Sequence, residues 1–319
     1  MGGSVTAPAP APTGLPALLA PPDARTRALE FFAAHIRNPN TRRAYLAAAA
    51  DFSAWCEGRG IASLGAVGPM HVAAWVEALG TRHAVPTVKQ RLAAVRALFD
   101  FLVVGQVIAA NPAASVRGPR HVVRRGKTAV LDGAEAARLL AAIDVTTPAG
   151  LRDRALIALM TYAFARVGAA LAMRVDDVFT ERRRLWVRLH EKGGKRHEMP
   201  CHHELEAMLA DYLDGTGLRG DPHGYLFRTV DRRTKRLSDR PLPQANAHAM
   251  VRRRARAAGI GTAIGNHTFR ATGITAYLSN NGTLEIAARM ANHASTRTTQ
   301  LYDRRDDALT LAEVERIRL

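Results

Sequence analysis

Cysteine is almost missing from this 319-residue sequence: Cys56 and Cys201 are the only two, far apart and in no spacing that ligates a metal. A disulfide framework is excluded, and the usage suits a reducing cytosol. Long apolar runs are missing as well. The longest, Ala155 to Ala165, is too short to cross a bilayer, and no basic amphipathic helix with bulky apolar anchors offers itself to a membrane surface. The leading MGGSVTAPAPAPTGLPALLAPP has no basic region, and prolines interrupt it, so a signal peptide is not expected. Gly2 and Thr6 match a myristoylation pattern by chance, with nothing polybasic nearby. Acids are scarce: 28 Asp and Glu face 45 Lys and Arg, for a formal net charge of +17. Such a field calls for a polyanionic partner, most economically nucleic acid. With 47% hydrophobic and 23% charged residues, the chain is not disordered overall and has length for two globular domains.

Residues 1–23 read as a flexible Ala- and Pro-rich arm. From 24 to 112 the pattern predicts four helices, near 25–36, 41–58, 69–79 and 86–104, with few strand signals. Asn40 or Thr41 starts the second, and Tyr45, Leu46, Ala49, Phe52 and Trp55 recur along it at helical spacing. The fourth buries Val88, Leu92, Val95, Leu98 and Phe99 and turns Lys89, Arg91 and Arg96 to the other face, where they either lie along DNA or are simply solvated. Residues 113–131 read as an extended cationic linker with Arg117, Arg120, Arg124, Arg125 and Lys127.

A second domain spans 132–307. Asp132 caps a helix reaching about Ile143, and a second helix, Leu151 to Ala165, is apolar on most sides and delivers Arg166. An arginine at the end of a buried helix needs a partner. In RRRLWVRLHEKGGKRHEMPC, alternating Leu185, Val187 and Leu189, a Gly193-Gly194 turn and a return over 196–200 make a hairpin with Lys192 and Lys195 beside its turn. The neighbouring Cys201, His202 and His203 diverge in direction and have no second ligand pair, so no metal site is expected there. Between Arg228 and Arg256 lies the densest basic patch, and Arg252, Arg253 and Arg254 fall on a helix whose outer face suits a DNA groove.

The most informative stretch is HTFRATGITAYLSNNGTLEIAARMANHASTRTTQLY, from His267 to Tyr302. His267 and Arg270 are three residues apart and share a helix face; His293 follows, and Tyr302 comes nine positions later. Arginine grips phosphodiester oxygens, histidine donates to them or moves a proton, and a tyrosine hydroxyl can attack phosphorus. Glu285 is the only acid in the stretch, so there is no carboxylate set to hold metal ions. The same residues also admit a packing role, with His293 capping a helix near Ser295 and Tyr302 half-buried.

This segment resembles the C-terminal signature of the tyrosine recombinase (phage integrase) family. The resemblance implies six catalytic positions: Arg166, Lys192, His267, Arg270, His293 and Tyr302. It departs from the family after Arg166, where Gly168 and Ala169 stand in place of the usual Ser or Gly followed by Glu, and at Glu191, which replaces the first Gly of the Gly-Lys-Gly-x-Lys turn. Lys192 matches the family's leaving-group acid, which leaves Lys195 as a DNA contact. The fold it implies is mainly α with a small antiparallel β-sheet in the C-terminal domain, a helical core-binding domain and a catalytic domain forming a clamp. The implied function is site-specific recombination through a 3′-phosphotyrosyl intermediate, with no cofactor. Double-stranded DNA is the expected partner, bound by a homo-tetramer across two sites that is a monomer or weak oligomer without DNA. Accessory DNA-bending proteins are further candidates, a membrane is not, and the cytoplasm is the expected location. A type IB topoisomerase and a catalytically silent DNA-binding protein use the same scaffold. In the tail, 308–319, Thr310 and Glu313 form a capping box, and Leu311, Val314 and Ile317 line one helix face that docks either on its own domain or on a neighbouring protomer.

Overall fold

The computed structural model describes residues 16–121, 126–191 and 194–303. Lys192, Arg124, Arg125, the tail 308–319 and most of the N-terminal arm lie outside the described residues. The chain divides into two units after residue 122.

The first unit is helical: α1 (Pro22–Glu30) continued by a π-helical turn (Phe31–His35), α2 (Pro39–Glu57), α3 (Pro69–Arg82) and α4 (Val85–Val104). Proline opens α2 and α3, where a missing N–H costs nothing, and Asn38 caps α2 by accepting from the amides of Asn40 and Thr41. Phe52 meets Trp75 and Phe99 edge-on, with centroids 5.0 and 5.8 Å away, at the centre of the core.

Three expectations change here. The arm ends earlier than composition suggested, because Leu18 and Leu19 are 3% exposed and the Leu18 amide donates to Ser53 Oγ at 3.2 Å. Arg91 does not stand free for DNA: it pairs with Asp51 at 3.0 Å, and that carboxylate also accepts from Trp75 Nε1 at 2.9 Å. Burial pushes the Asp51 pKa up, but the Trp75 hydrogen bond and the Arg91 and Arg82 charges outweigh it and hold the group below the usual carboxylate range. Arg96 turns to the chain beyond α4, donating to the carbonyls of Ala113 at 3.1 Å and Val116 at 2.6 Å. The first residues of the expected linker therefore pack into this unit's core, with Ala113 fully buried.

The second unit wraps helices and two small sheets around α6 (Pro148–Tyr162), which is buried on nearly every side. Before it comes α5 (Gly133–Ala141), capped by Asp132 and Glu135 in a reciprocal box. After it come α7 (Val167–Ala172) and an antiparallel sheet of β1 (Val178–Glu181), β2 (Arg184–His190) and β3 (Arg196–Pro200), in that order. Val187 and Leu189 turn into the core from β2, as their alternation predicts, and pair with Met199 and His197. His202 accepts from the Glu204 amide at 3.2 Å as the cap of α8 (His203–Thr216). A two-stranded sheet, β4 (Arg228–Val230) and β5 (Leu237–Pro241), leads to α9 (Gln244–Ala257), α10 (Asn266–Ser279), α11 (Leu284–Met290) and α12 (Thr296–Gln300). Among the described residues no helix is long and apolar enough to cross a membrane.

Candidate active site

Close packing of α10 on α6 sets the site. A Cβ on Gly273 would lie 1.9 Å from the Thr161 carbonyl oxygen and 2.8 Å from the Phe164 ring, so only glycine lets the helices approach this far. One turn earlier on α10, Arg270 reaches under the α6–α7 connection. Phe164 adopts a left-handed conformation there (φ 49°) and its carbonyl accepts from Arg270 Nη1. Arg270 Nη2 donates to the Ala291 carbonyl at 2.5 Å, satisfying an orphan acceptor at the end of α11, and to His293 Nε2 at 2.7 Å.

Arg270 is 2% exposed, and its partners distinguish it from the other buried arginines. Arg152 binds Asp153 and Arg228 binds Asp221, each at 2.6 Å. The hydrogen bonds of Arg270 go to two carbonyls and an imidazole, none of them a carboxylate. Desolvation, then the charge of Arg166, pull its pKa down to about 10, while Tyr302 and Glu191 act against that shift. A buried cation whose hydrogen bonds reach no carboxylate keeps its charge available to an incoming anion.

His293 follows α11, and its Nδ1 lies 2.7 Å from Thr299 Oγ1. Its ring stacks on Tyr302, with centroids 5.9 Å apart and planes 10° from parallel. Desolvation, then Arg270 and Arg166, depress its pKa to about 4. Tyr302 sits in the turn after α12. The Thr299 carbonyl accepts from its amide at 2.9 Å, Thr275 Oγ1 donates to its carbonyl at 2.8 Å, and its ring packs on the Phe164 and Ile274 cluster. The preceding residue is held too, since the Gly126 amide donates to the Leu301 carbonyl at 2.9 Å. His267, on the first turn of α10, opens to solvent on one side; desolvation by its neighbours, then Arg270 and Arg166, lower its pKa.

Arg166 stands at the N-cap position of α7 without capping it; its side chain is 37% exposed, and Nη1 donates to Glu191 Oε2 at the end of β2. The structure therefore brings Arg166, His267, Arg270, His293 and Tyr302 together from four separate segments. Two participants were missed in the sequence. Glu191 supplies the carboxylate absent after Arg166; the signal was the pairing of one missing acid with one surplus acid on the hairpin. Thr299, fully buried, had no signal beyond lying three residues before Tyr302.

The expected DNA contacts separate. Lys89, Lys195, Arg252 and Arg253 are exposed. Arg254 is not free: its Nε and Nη2 donate to the fully buried Asp153 at 3.0 and 2.8 Å, tying α9 to α6. Helical period explains it, since Val251 and Ala255 are buried and Arg254 sits at the edge of that face; Arg252 and Arg253 are exposed, although Arg253 Nη2 also comes within 3.7 Å of Asp153.

Residues 129–308 match the phage integrase family, and residues 31–105 match the phage integrase N-terminal SAM-like domain. Tyrosine recombinase XerC from Escherichia coli O6:K15:H31 (strain 536 / UPEC) is 29% identical over 219 residues, 68% of each chain. In fold, the chain is similar to XerH site-specific recombinase bound to palindromic difH substrate in a post-cleavage complex, with TM-score 0.66, 18% identity, and coverage of 83% of this chain and 76% of that one. A lambda integrase tetramer bound to a Holliday junction gives TM-score 0.67 at 16% identity, covering 90% of this chain and 79% of that one.

Proposed function

The chain belongs to the phage integrase family, and from that membership we propose how the residues around Arg270 cut and rejoin DNA. It is a tyrosine-type site-specific recombinase. Tyr302 Oη attacks the scissile phosphorus; the new O–P bond forms as the P–O5′ bond breaks, leaving a 3′-phosphotyrosyl link and a 5′-hydroxyl. Neutral His267 takes the tyrosyl proton, and Lys192 protonates the leaving 5′ oxygen. Arg166 and Arg270 neutralise the non-bridging oxygens as charge builds, and His293 orients Arg270 and the tyrosine ring. The 5′-hydroxyl of a partner strand then attacks the phosphotyrosine and reverses the step, so the bond energy is conserved. The observation that carries this reading is the buried Arg270 guanidinium, whose hydrogen bonds include no carboxylate, beside the Tyr302 ring.

Lys89, Lys195, Arg252 and Arg253, with Arg124 and Arg125 of the linker, contact phosphates along the duplex. Two sites are brought together by four protomers, a reading that the tetramer of lambda integrase on a Holliday junction supports; the apolar face Leu311, Val314 and Ile317 of the tail is proposed, from sequence pattern alone, to dock on the neighbour.

Recovery of protein–DNA complexes under denaturing conditions tests the nucleophile. The wild-type protein yields adducts at a recurrent sequence, whereas Tyr302→Phe binds DNA equally and yields none. Adducts persisting in Tyr302→Phe overturn the assignment.

A further inference from the structure

Glu191 is an acid in an unusual place. Its side chain is 4% exposed, Oε2 accepts from Arg166 Nη1, and its amide donates to the Lys195 carbonyl at 2.8 Å, closing the base of the hairpin. A carboxylate buried this far is costly unless paired. The pairing is chosen by the fold, because α7, with sequence VGAALA, contains no acid that could hold the arginine from its own helix. Among the described residues, Glu191 is the one carboxylate that pairs with Arg166.

We propose that Glu191 is a positioning residue that orients Arg166 toward the scissile phosphate from the β2–β3 hairpin. The inference rests on the reading of Arg166 as a phosphate-binding residue. A guanidinium has five donors in a rigid fork. With Nη1 fixed by Glu191, the rest of a side chain that is 37% exposed faces the open side of the site.

Single-turnover cleavage of a nicked duplex carrying a site recovered from the adducts tests this, with DNA binding and thermal melting measured on each variant as controls for folding. Glu191→Ala is expected to keep DNA affinity and to cleave on the order of a hundredfold more slowly, the cost of a slightly misplaced catalytic group. Glu191→Gln, which keeps an acceptor oxygen, should retain part of the rate. Combined with Arg166→Ala, the Glu191→Ala change should cost nothing further, because a residue acting through another has no effect once that other is gone. A methylphosphonate at the scissile position, which carries no charge to neutralise, should shrink the Glu191→Ala deficit, while a bridging 5′-phosphorothiolate should not. Rescue by the phosphorothiolate alone, losses that multiply in the double variant, or faster cleavage by Glu191→Ala each overturn the proposal. Wild-type cleavage by Arg166→Ala would instead overturn the reading of the site on which it rests.

Discussion

Arg270 Nη2 lies 2.7 Å from His293 Nε2, and since a guanidinium only donates, His293 accepts there and carries its proton on Nδ1. That proton points at Thr299 Oγ1, 2.7 Å away. The two contacts select one tautomer and the neutral state of the histidine: a proton on Nε2 would face the Arg270 N–H donor and break that contact, while Nδ1–H would still reach Thr299.

The first prediction follows for pH. His293 has a folded pKa of about 4 against an ordinary value of 6.5, so the unfolded chain binds the proton more readily. The stability it contributes is fully present above pH 6.5 and is lost as pH falls toward 4. Denaturant midpoints measured across this window should decline, and His293→Asn should flatten the decline; an unchanged pH slope in that variant counts against a neutral His293.

Thr299 is tested by removing its hydroxyl alone. Thr299→Val keeps the shape but leaves the His293 Nδ1 proton without its acceptor, at a cost of about 1–3 kcal/mol in unfolding free energy. Cleavage should slow while DNA affinity holds, and Thr299→Ser should recover both. Equal cleavage by the valine and serine variants would remove Thr299 from the site.

The lysines of the hairpin separate by leaving-group chemistry. A 5′-phosphorothiolate needs no proton to depart, so it should restore cleavage to Lys192→Ala. Lys195, exposed beside the turn, should show only weaker DNA binding when replaced by alanine. Rescue of Lys195→Ala instead would exchange the two roles.

Neighbouring arginines on α9 should behave oppositely. Arg252→Ala should leave melting unchanged and reduce the salt dependence of DNA binding by about 0.9 in the log–log slope, the effect of one lost phosphate contact. Arg254→Ala removes two hydrogen bonds from Oδ2 of the buried Asp153, which keeps Arg152 on Oδ1, and should destabilise the fold by about 1–3 kcal/mol. Matching salt slopes with equal stability in the two variants would contradict the different orientations of these side chains.

What the sequence determined by itself is local or strongly patterned. The helices of the first unit were legible because proline, asparagine and apolar periodicity mark their starts and buried faces within a few residues, and β2 and β3 because alternation and paired glycines mark a hairpin. That His267, Arg270, His293 and Tyr302 belong to one candidate site was legible because their chemical types are rare and their spacing is short. Tertiary structure decided the pairings across long separations. Periodicity states that Arg91, Arg96 and Arg254 leave the apolar face, but not that Asp51, the carbonyls of Ala113 and Val116, and Asp153 wait beside them. Nor does it state that the acid absent after Arg166 returns from Glu191, 25 residues later. A buried charge must find a partner, but which partner depends on where the chain folds back, and that is settled only when helices close enough to need Gly273 have packed.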